Sequence, residues 1–527
     1  MLPKILLAAV TAASFLTTPA ATAAATPTLA ETPPMGWNDW AHYQCDFTEQ
    51  TILSNADALV STGLAAKGYN TVTIDDCWMA KSRDNKGNLV ADPVKFPDGM
   101  AYVGQYLRKL GLKFGIYEDA GTLTCGGYPG SWNHFQQDAD LFAGWGVDYL
   151  KLDGCNLPTV AGQTDEQTYR SAYAQQSAAL ARTGRKIVFS ESAPAYFQGE
   201  TSWYTVLSWV KQYGQLWREG YDIATYDKNK PDTNRWGSVL GNYDYNHPIG
   251  RYAGPGNWND PDFLIAGDGG VTADESRSQV ALWAMMAAPM ILSSDVGKLS
   301  QAAVATLGNA DVVAVDQDRL GQQGTVYSQD GATDVLYRPL ANGDRAVAIF
   351  NRGAAPVTTS TTAGLPSCSY TAKDLWTGKT SNALTATVPA HGTAIFRVKL
   401  GADCAKPSPV GQISGTSGKC VDDSGSGAAD GNPVILWPCT GNPNQRWRPV
   451  NGAVQTLGKC LTNSGNKAVL STCDGGQAQQ WSYHLNGNLV NSGLCLDVTG
   501  GGSDNGTALQ LYQCGDNQLN QIWTLPS

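Results

Sequence analysis

Acidic residues recur in this chain at the ends of short apolar runs. Asp75 and Asp76 close Ile74-Asp75-Asp76-Cys77-Trp78, Asp153 ends Tyr149-Leu150-Lys151-Leu152-Asp153, and Asp222 follows Arg218 by four residues. Asp260 lies in Trp258-Asn259-Asp260-Pro261-Asp262. Cleaving a glycosidic bond needs two carboxyls, one that stays ionised and one that delivers a proton. Lys151, two residues before Asp153, shares its side of an extended strand. A neighbouring cation favours the carboxylate form that a nucleophile requires. Asp222 is the candidate acid. Asp75 and Asp76 could pair on a metal, but no His or third acid has suitable spacing, and the whole chain holds five His. No metal and no cofactor are expected.

Strands must carry these acids, and the patterning supplies them. Strand-like runs at 69–76, 113–119, 147–153 and 186–192, with weaker ones at 257–263 and 290–295, alternate with helix-like stretches at 51–67, 100–110, 134–144, 166–182 and 274–288. Strand and helix in regular alternation predict a parallel sheet, and this many units predict a (β/α)8 TIM barrel over residues 30–315. Trp37, Asp75, Asp76, Tyr117, Asp153, Asp222 and Asp260 then converge on the face where barrel active sites lie. From 322 to 400 the pattern turns to helix-free alternation, which predicts an antiparallel β-sandwich with strands at 326–337, 346–351, 357–361 and 393–400. Residues 401–412, with Pro407 and Pro409, read as a linker.

The last segment, 413–527, is an internal repeat. Gly418-Lys419-Cys420-Val421-Asp422, Gly458-Lys459-Cys460-Leu461-Thr462 and Gly493-Leu494-Cys495-Leu496-Asp497 each lead to a second cysteine and a Gln-x-Trp, at Gln445–Trp447, Gln479–Trp481 and Gln521–Trp523. Three copies that cannot each bury a core imply a threefold all-β unit.

Composition agrees with several domains and a polar ligand. The chain has 527 residues, 16% charged, and a net charge of −10, which argues against nucleic acid. Its 16 Trp and 22 Tyr outweigh 11 Phe, and aromatics with a hydrogen-bonding edge suit wet ligands. Residues 1–25 read as a signal peptide: Lys4, an apolar run from Ile5 to Leu16, then Ala23-Ala24-Ala25. No stretch is long enough to span a bilayer, so a secreted, extracellular protein is expected. The 12 cysteines fall into groups at 45–155, 368–404 and 420–514. Six disulfides closed within those groups are the simplest pairing. These include Cys368–Cys404 and, one per repeat, Cys420–Cys439, Cys460–Cys473 and Cys495–Cys514.

The repeat resembles the ricin-type β-trefoil lectins, in which Gln-x-Trp holds the core. The resemblance implies sugar contacts at Asp422, Trp437 and Asn444 in the first copy. In the third copy it implies Asp497, Tyr512 and Asn520 (or Asn517), with a polysaccharide as ligand. The middle copy, with Thr462 and no aromatic near Leu470, is not expected to bind.

The ordered motifs Met35–Trp40, Ile74–Trp78, Gly115–Gly121, Tyr149–Cys155 and Trp258–Asp262 resemble glycoside hydrolase family 27. This family comprises α-galactosidases, α-N-acetylgalactosaminidases and their relatives, and the resemblance runs over about residues 30–400. It implies a retaining exo-glycosidase acting on terminal α-linked galactose, with Asp153 as nucleophile and Asp222 as acid/base ~5–5.5 Å apart. It also implies Asp75 and Asp76 on the C4 and C6 hydroxyls, and a sugar pocket lined by Trp37, Tyr117, Lys151, Tyr196, Arg218 and Asp260. Cys45–Cys77 and Cys125–Cys155 match the family's loop disulfides.

The fifth strand departs from the galactose-type pattern. Glu191-Ser192-Ala193-Pro194-Ala195-Tyr196 aligns on its Pro and Tyr to put small residues, Ser192 and Ala195, at the two positions facing C2. That is the pattern of enzymes accepting N-acetylgalactosamine, so an α-N-acetylgalactosaminide is the alternative substrate. A slip of one residue would put Glu191 there instead. A relative acting on α-glucans is disfavoured by Asp75 and Asp76. A lectin with a dead barrel is disfavoured because Lys151, Asp153, Arg218 and Asp222 are all present.

Overall fold

The computed structural model describes residues 29–526 apart from 232, 364, 366, 367, 402–409, 451, 484–486, 516 and 517. The expected signal segment, most of the expected linker, Cys404 and Asn517 lie outside the described residues. Eight short parallel strands come first: β1 Met35–Asn38, β2 Thr71–Ile74, β3 Lys113–Asp119, β4 Tyr149–Asp153, β5 Val188–Glu191, β6 Leu216–Arg218, β7 Trp258–Asp260 and β8 Met290–Leu292. They pair in sequence order around a ring, with β8 beside β1. The seam between β7 and β8 is closed by Leu264, whose N–H donates to Ile291 O at 2.8 Å and whose carbonyl accepts from Ser293 N at 2.8 Å. This is the predicted barrel. Glycine permits the tight start of the ring: a Cβ on Gly36 would meet the Thr71 carbonyl at 2.3 Å.

Among the described residues ten helices interleave with or follow these strands: α1 Trp40–Tyr43, α2 Glu49–Ser61, α3 Gly99–Lys109, α4 Phe135–Trp145, α5 Asp165–Arg182, α6 Trp203–Trp209, α7 Trp236–Asn246, α8 Ala273–Met286, α9 Gln301–Leu307 and α10 Ala310–Asp316. The stretch expected at 51–67 stops at Ser61, because Gly63 turns the chain into the left-handed region at φ +82°. Capping boxes begin α5 at Thr164/Gln167 and α8 at Thr272/Glu275. α8 is buried almost throughout because it lies between barrel and sandwich. Ser278 Oγ on α8 donates to the His391 carbonyl at 2.6 Å and Trp283 Nε1 reaches back to Asp262 O at 3.0 Å.

The second domain pairs a six-stranded antiparallel sheet with a two-stranded one. Its first expected strand, 326–337, is a hairpin of β9 Thr325–Asp330 and β10 Thr333–Pro339. Gly331 supplies the positive φ, +58°, that a two-residue turn needs. The third domain is a trefoil. In each copy the Gln-x-Trp indole donates to the strand that carries the first cysteine: Trp447 to Val421 O, Trp481 to Leu461 O and Trp523 to Leu496 O, at 2.8–2.9 Å. Five of the expected disulfides are present: Cys45–Cys77, Cys125–Cys155, Cys420–Cys439, Cys460–Cys473 and Cys495–Cys514. Cys368 is also disulfide-bonded. Among the described residues no helix is long and apolar enough to cross a membrane.

Candidate active site

The barrel brings Lys151, Asp153, Asp75 and Tyr117 together at the ends of its strands. On β4, Lys151 and Asp153 share the inner face, with Nζ 3.9 Å from Asp153 Oδ2 and 2.8 Å from Asp75 Oδ2 beyond the end of β2. The ammonium also lies over the Tyr117 ring at 5.0 Å and the Phe263 ring at 5.3 Å. Burial pushes the lysine toward neutrality, but the two carboxylates overcome this and hold it charged. Trp37 is fully buried and fixed by its indole N–H to Ser294 O at 2.8 Å.

Asp75 and Asp76 are oriented by different partners. Asp75 Oδ2 also accepts from Asn38 Nδ2 at 2.7 Å, and its backbone N–H donates to Asp39 Oδ1 at 2.8 Å. Asp76 Oδ2 accepts from Gly126 N at 2.7 Å, on the loop beside the Cys125–Cys155 disulfide. Cys77, held by Cys45, takes φ +73° directly after Asp76. A non-glycine residue there costs of order 1–2 kcal/mol and persists where its surroundings enforce it.

The two candidate catalytic carboxylates occupy unlike environments. The Asp153 side chain is 17% accessible, whereas that of Asp222 is 78% accessible at the open mouth. Arg218 at the end of β6 is buried and reaches four acceptors beyond the strand. It contacts Asp222 Oδ1 at 3.0 Å, Tyr221 O at 2.9 Å, Gly220 O at 3.2 Å and Asp262 Oδ1 at 3.2 Å. Desolvation in the cleft pushes the Asp222 carboxyl up. The Arg218 guanidinium, with Lys151 behind it, more than offsets this and holds Asp222 below the usual carboxylate range. Asp260 pairs in register with Arg218, and its Oδ1 caps Asp262 N at 2.9 Å.

On β5, Ser190 is in register with Lys151, so Ser192 falls on the same inner face and Glu191 on the opposite one. Glu191 lies against Gly214, where a Cβ would come within 2.4 Å of Oε1, and burial pushes its carboxyl well up. Ser192 is buried, and Ala195 follows in the 3-10 turn Ala193–Phe197. The Tyr196 hydroxyl accepts from Gly154 N at 3.0 Å, next to Asp153.

Sequence reasoning did not single out Asn38, Asp39, Asp119 or Asp262 as site residues. Asp119 ends β3 beside Asp153 and accepts from Cys155 N at 2.8 Å and Gly121 N at 2.6 Å. Burial, then the Asp153 charge, push it up to about 7. Asp119, Cys125 and Cys155 lie close enough to suggest a metal trio, but both sulfurs are spent in one disulfide. All four missed residues lie within the quoted motifs, which was the available signal.

In the trefoil, Asp497 Oδ2 accepts from Asn520 Nδ2 and Gln521 Nε2 at 2.7 and 2.8 Å, and Oδ1 accepts from Gln510 Nε2 at 2.9 Å. Tyr512, 61% exposed, stands beside them over a hollow of about 660 Å³. In the first copy Asp422 accepts from Gln445 Nε2 at 2.7 Å, and Trp437 is 40% exposed. Ile435 stands opposite Asp422 where Gln510 faces Asp497, and Asn444 Nδ2 donates to Asp423 O. In the middle copy Gln479 Nε2 finds the Thr462 hydroxyl at 3.1 Å instead of an acid.

Comparison with known proteins agrees with this layout. Residues 32–318 match the family described as Alpha galactosidase A, residues 330–398 the Alpha galactosidase C-terminal beta sandwich domain, and residues 409–523 the Ricin-type beta-trefoil lectin domain. Alpha-galactosidase A of Aspergillus niger is 42% identical over 523 residues, covering 95% of this chain and 93% of that protein. The crystal structure of alpha-galactosidase I from Mortierella vinacea has a TM-score of 0.63 at 32% identity, covering 72% of this chain and 99% of that one. The alpha-galactosidase of Saccharomyces cerevisiae solved with raffinose has a TM-score of 0.63 at 28% identity, covering 71% and 100%.

Proposed function

The chain belongs to the Alpha galactosidase A family, and from that premise we propose that it is a secreted, retaining α-galactosidase that removes terminal α-linked galactose. The observation that carries the mechanism is the asymmetry of the two carboxyls. The enclosed Asp153 lies beside the Lys151 ammonium, and the open Asp222 is held on Arg218. An enclosed carboxylate next to a fixed cation suits attack on the anomeric carbon, with loss of the glycosidic oxygen. An exposed carboxyl at the mouth suits the exchange of protons with leaving group and water.

Asp222 gives its proton to the departing oxygen, and Asp153 forms the glycosyl ester. Asp222 then takes a proton from water as the water attacks that ester. The Arg218 guanidinium makes Asp222 favour its ionised form. A bound sugar that covers it withdraws water and raises its affinity for the proton. Asp75 and Asp76 take the C4 and C6 hydroxyls, and Trp37 and Tyr117 form the walls. The disulfides support export, and the third trefoil copy is the sugar site that Asp497, Gln510, Tyr512 and Asn520 line.

One observation favours a second substrate. Glu191 points behind β5 and leaves Ser192 and Ala195 toward the site, which gives room for an acetamido group at C2. Turnover of p-nitrophenyl α-galactoside and p-nitrophenyl N-acetyl-α-galactosaminide by the wild type and by Asp153→Asn tests both readings. We expect wild-type activity on the galactoside, measurable activity on the N-acetyl substrate, and a loss of about 10⁴-fold or more in the variant with an unchanged unfolding profile. Retained activity in Asp153→Asn refutes the nucleophile, and no N-acetyl activity refutes the Ser192/Ala195 reading.

A further inference from the structure

We propose that Asn242, on the helix layer outside the barrel, is the positioning residue for the acid/base carboxylate. This rests on the retaining reading above, in which Asp222 protonates the leaving group. Asp222 is largely exposed, and among the described residues only Arg218 pairs with its carboxylate. Beyond that one pair, its place is set by its own backbone. Asn242, 2% exposed on α7, donates from Nδ2 to Tyr221 O at 2.9 Å and to Pro261 O at 3.0 Å. Both acceptors are carbonyls, one immediately before Asp222 and one immediately before Asp262. Only a nitrogen with two hydrogens satisfies both; a carboxylate at this position would set oxygen against oxygen.

The clamp joins two loops that already meet at one further point. Asp262 Oδ2 accepts from Ile223 N at 2.7 Å, just past Asp222, and Asp262 Oδ1 faces Arg218. Asn242 ties the same loops on the other side, so residues 221–223 are held at both ends. The helix that carries Asn242 is itself braced by the sandwich. Tyr243 OH donates to Asp334 Oδ2 at 3.1 Å, and Arg352 pairs with Asp244 and with Asp334. The second domain thus fixes α7, α7 fixes the Tyr221 carbonyl, and that carbonyl fixes Asp222.

A mispositioned acid has a signature that general loosening lacks. A leaving group of low basicity departs without a proton, whereas an alkoxide needs one. Asn242→Asp, which keeps shape and removes the donors, and Asn242→Ala are assayed in the full-length chain with p-nitrophenyl α-galactoside and methyl α-galactoside. We expect kcat/KM to fall about 10–100-fold on the methyl galactoside and less than about 3-fold on the nitrophenyl one. The ratio of the two substrates is independent of how much variant folds. Equal loss on both, or no loss, overturns the assignment of Asn242 and leaves the reaction standing. If the wild type turns over neither galactoside, the reaction itself is refuted, and the role of Asn242 with it.

Discussion

Replacing Arg218 by Met tests the electrostatics of the site. The guanidinium lies 3.0 Å from Asp222 Oδ1. At that separation a unit charge is worth about 1.4 kcal/mol in bulk water and about 5–6 kcal/mol at an effective dielectric constant of 20. Because the Asp222 side chain is 78% accessible, the lower end applies, and losing the guanidinium should raise the Asp222 pKa. The substitution leaves no bare anion behind: burial already pushes Asp262 up to about 7 beside Arg218, so without its partner it takes up a proton. The assay is the pH profile of kcat/KM on methyl α-galactoside, whose alkoxide leaving group needs a proton, so that its basic limb reports the acid in the free enzyme. We expect that limb to move to higher pH. The maximum should fall about 10–100-fold, because Arg218 also holds the Gly220 and Tyr221 carbonyls. A basic limb that stays in place or moves down refutes Asp222 as the acid or Arg218 as the group that sets it.

Two further outcomes follow from the same geometry. Burial pushes Asp119 and Asp262 up to about 7 and Asp316 to about 8, so the folded chain holds protons there that the unfolded chain has released. Their contribution to stability is complete below about pH 4 and is lost as pH rises through 7–8. The calorimetric Tm should therefore drop by several degrees between about pH 5 and 8.5, and a Tm that rises over this range contradicts these shifts. In the trefoil, Asp497→Asn or Tyr512→Ala should weaken retention on an immobilised galactose-containing polysaccharide at least about tenfold, while kcat on p-nitrophenyl α-galactoside stays the same. Undiminished retention would place the sugar contacts elsewhere.

The barrel, the sandwich and the trefoil were legible because each leaves a period in the chain. Strands that end at or just before Asp75, Asp153 and Asp260 alternate with amphipathic helices, and three Gln-x-Trp copies recur 34 and 42 residues apart. The ends were less legible. The hairpin at Gly331 and the break at Gly63 depend on single backbone conformations that hydrophobic period does not report. On β5, sequence alone allowed either Glu191 or Ser192 to face the sugar. The register of Ser190 with Lys151 separates the two, because one residue along a strand is a change of face.

The sequence by itself determined which carboxylates stand at strand ends. Lys151 and Asp153, two apart on one strand, have their mutual geometry written in their spacing. Only the tertiary structure decided what those carboxylates touch. Arg218 is shared between Asp222, four residues on, and Asp262, 44 residues on. Asn242 reaches carbonyls on either side of it in the chain, and Asp119 meets Cys155 across a strand pair. These contacts join loops whose approach is set by barrel closure and by the packing of α7 and α8 against the sandwich. No local pattern encodes a distance between two such loops. The chemistry of each group belongs to its residue type; its charge state and aim belong to neighbours that folding alone brings near.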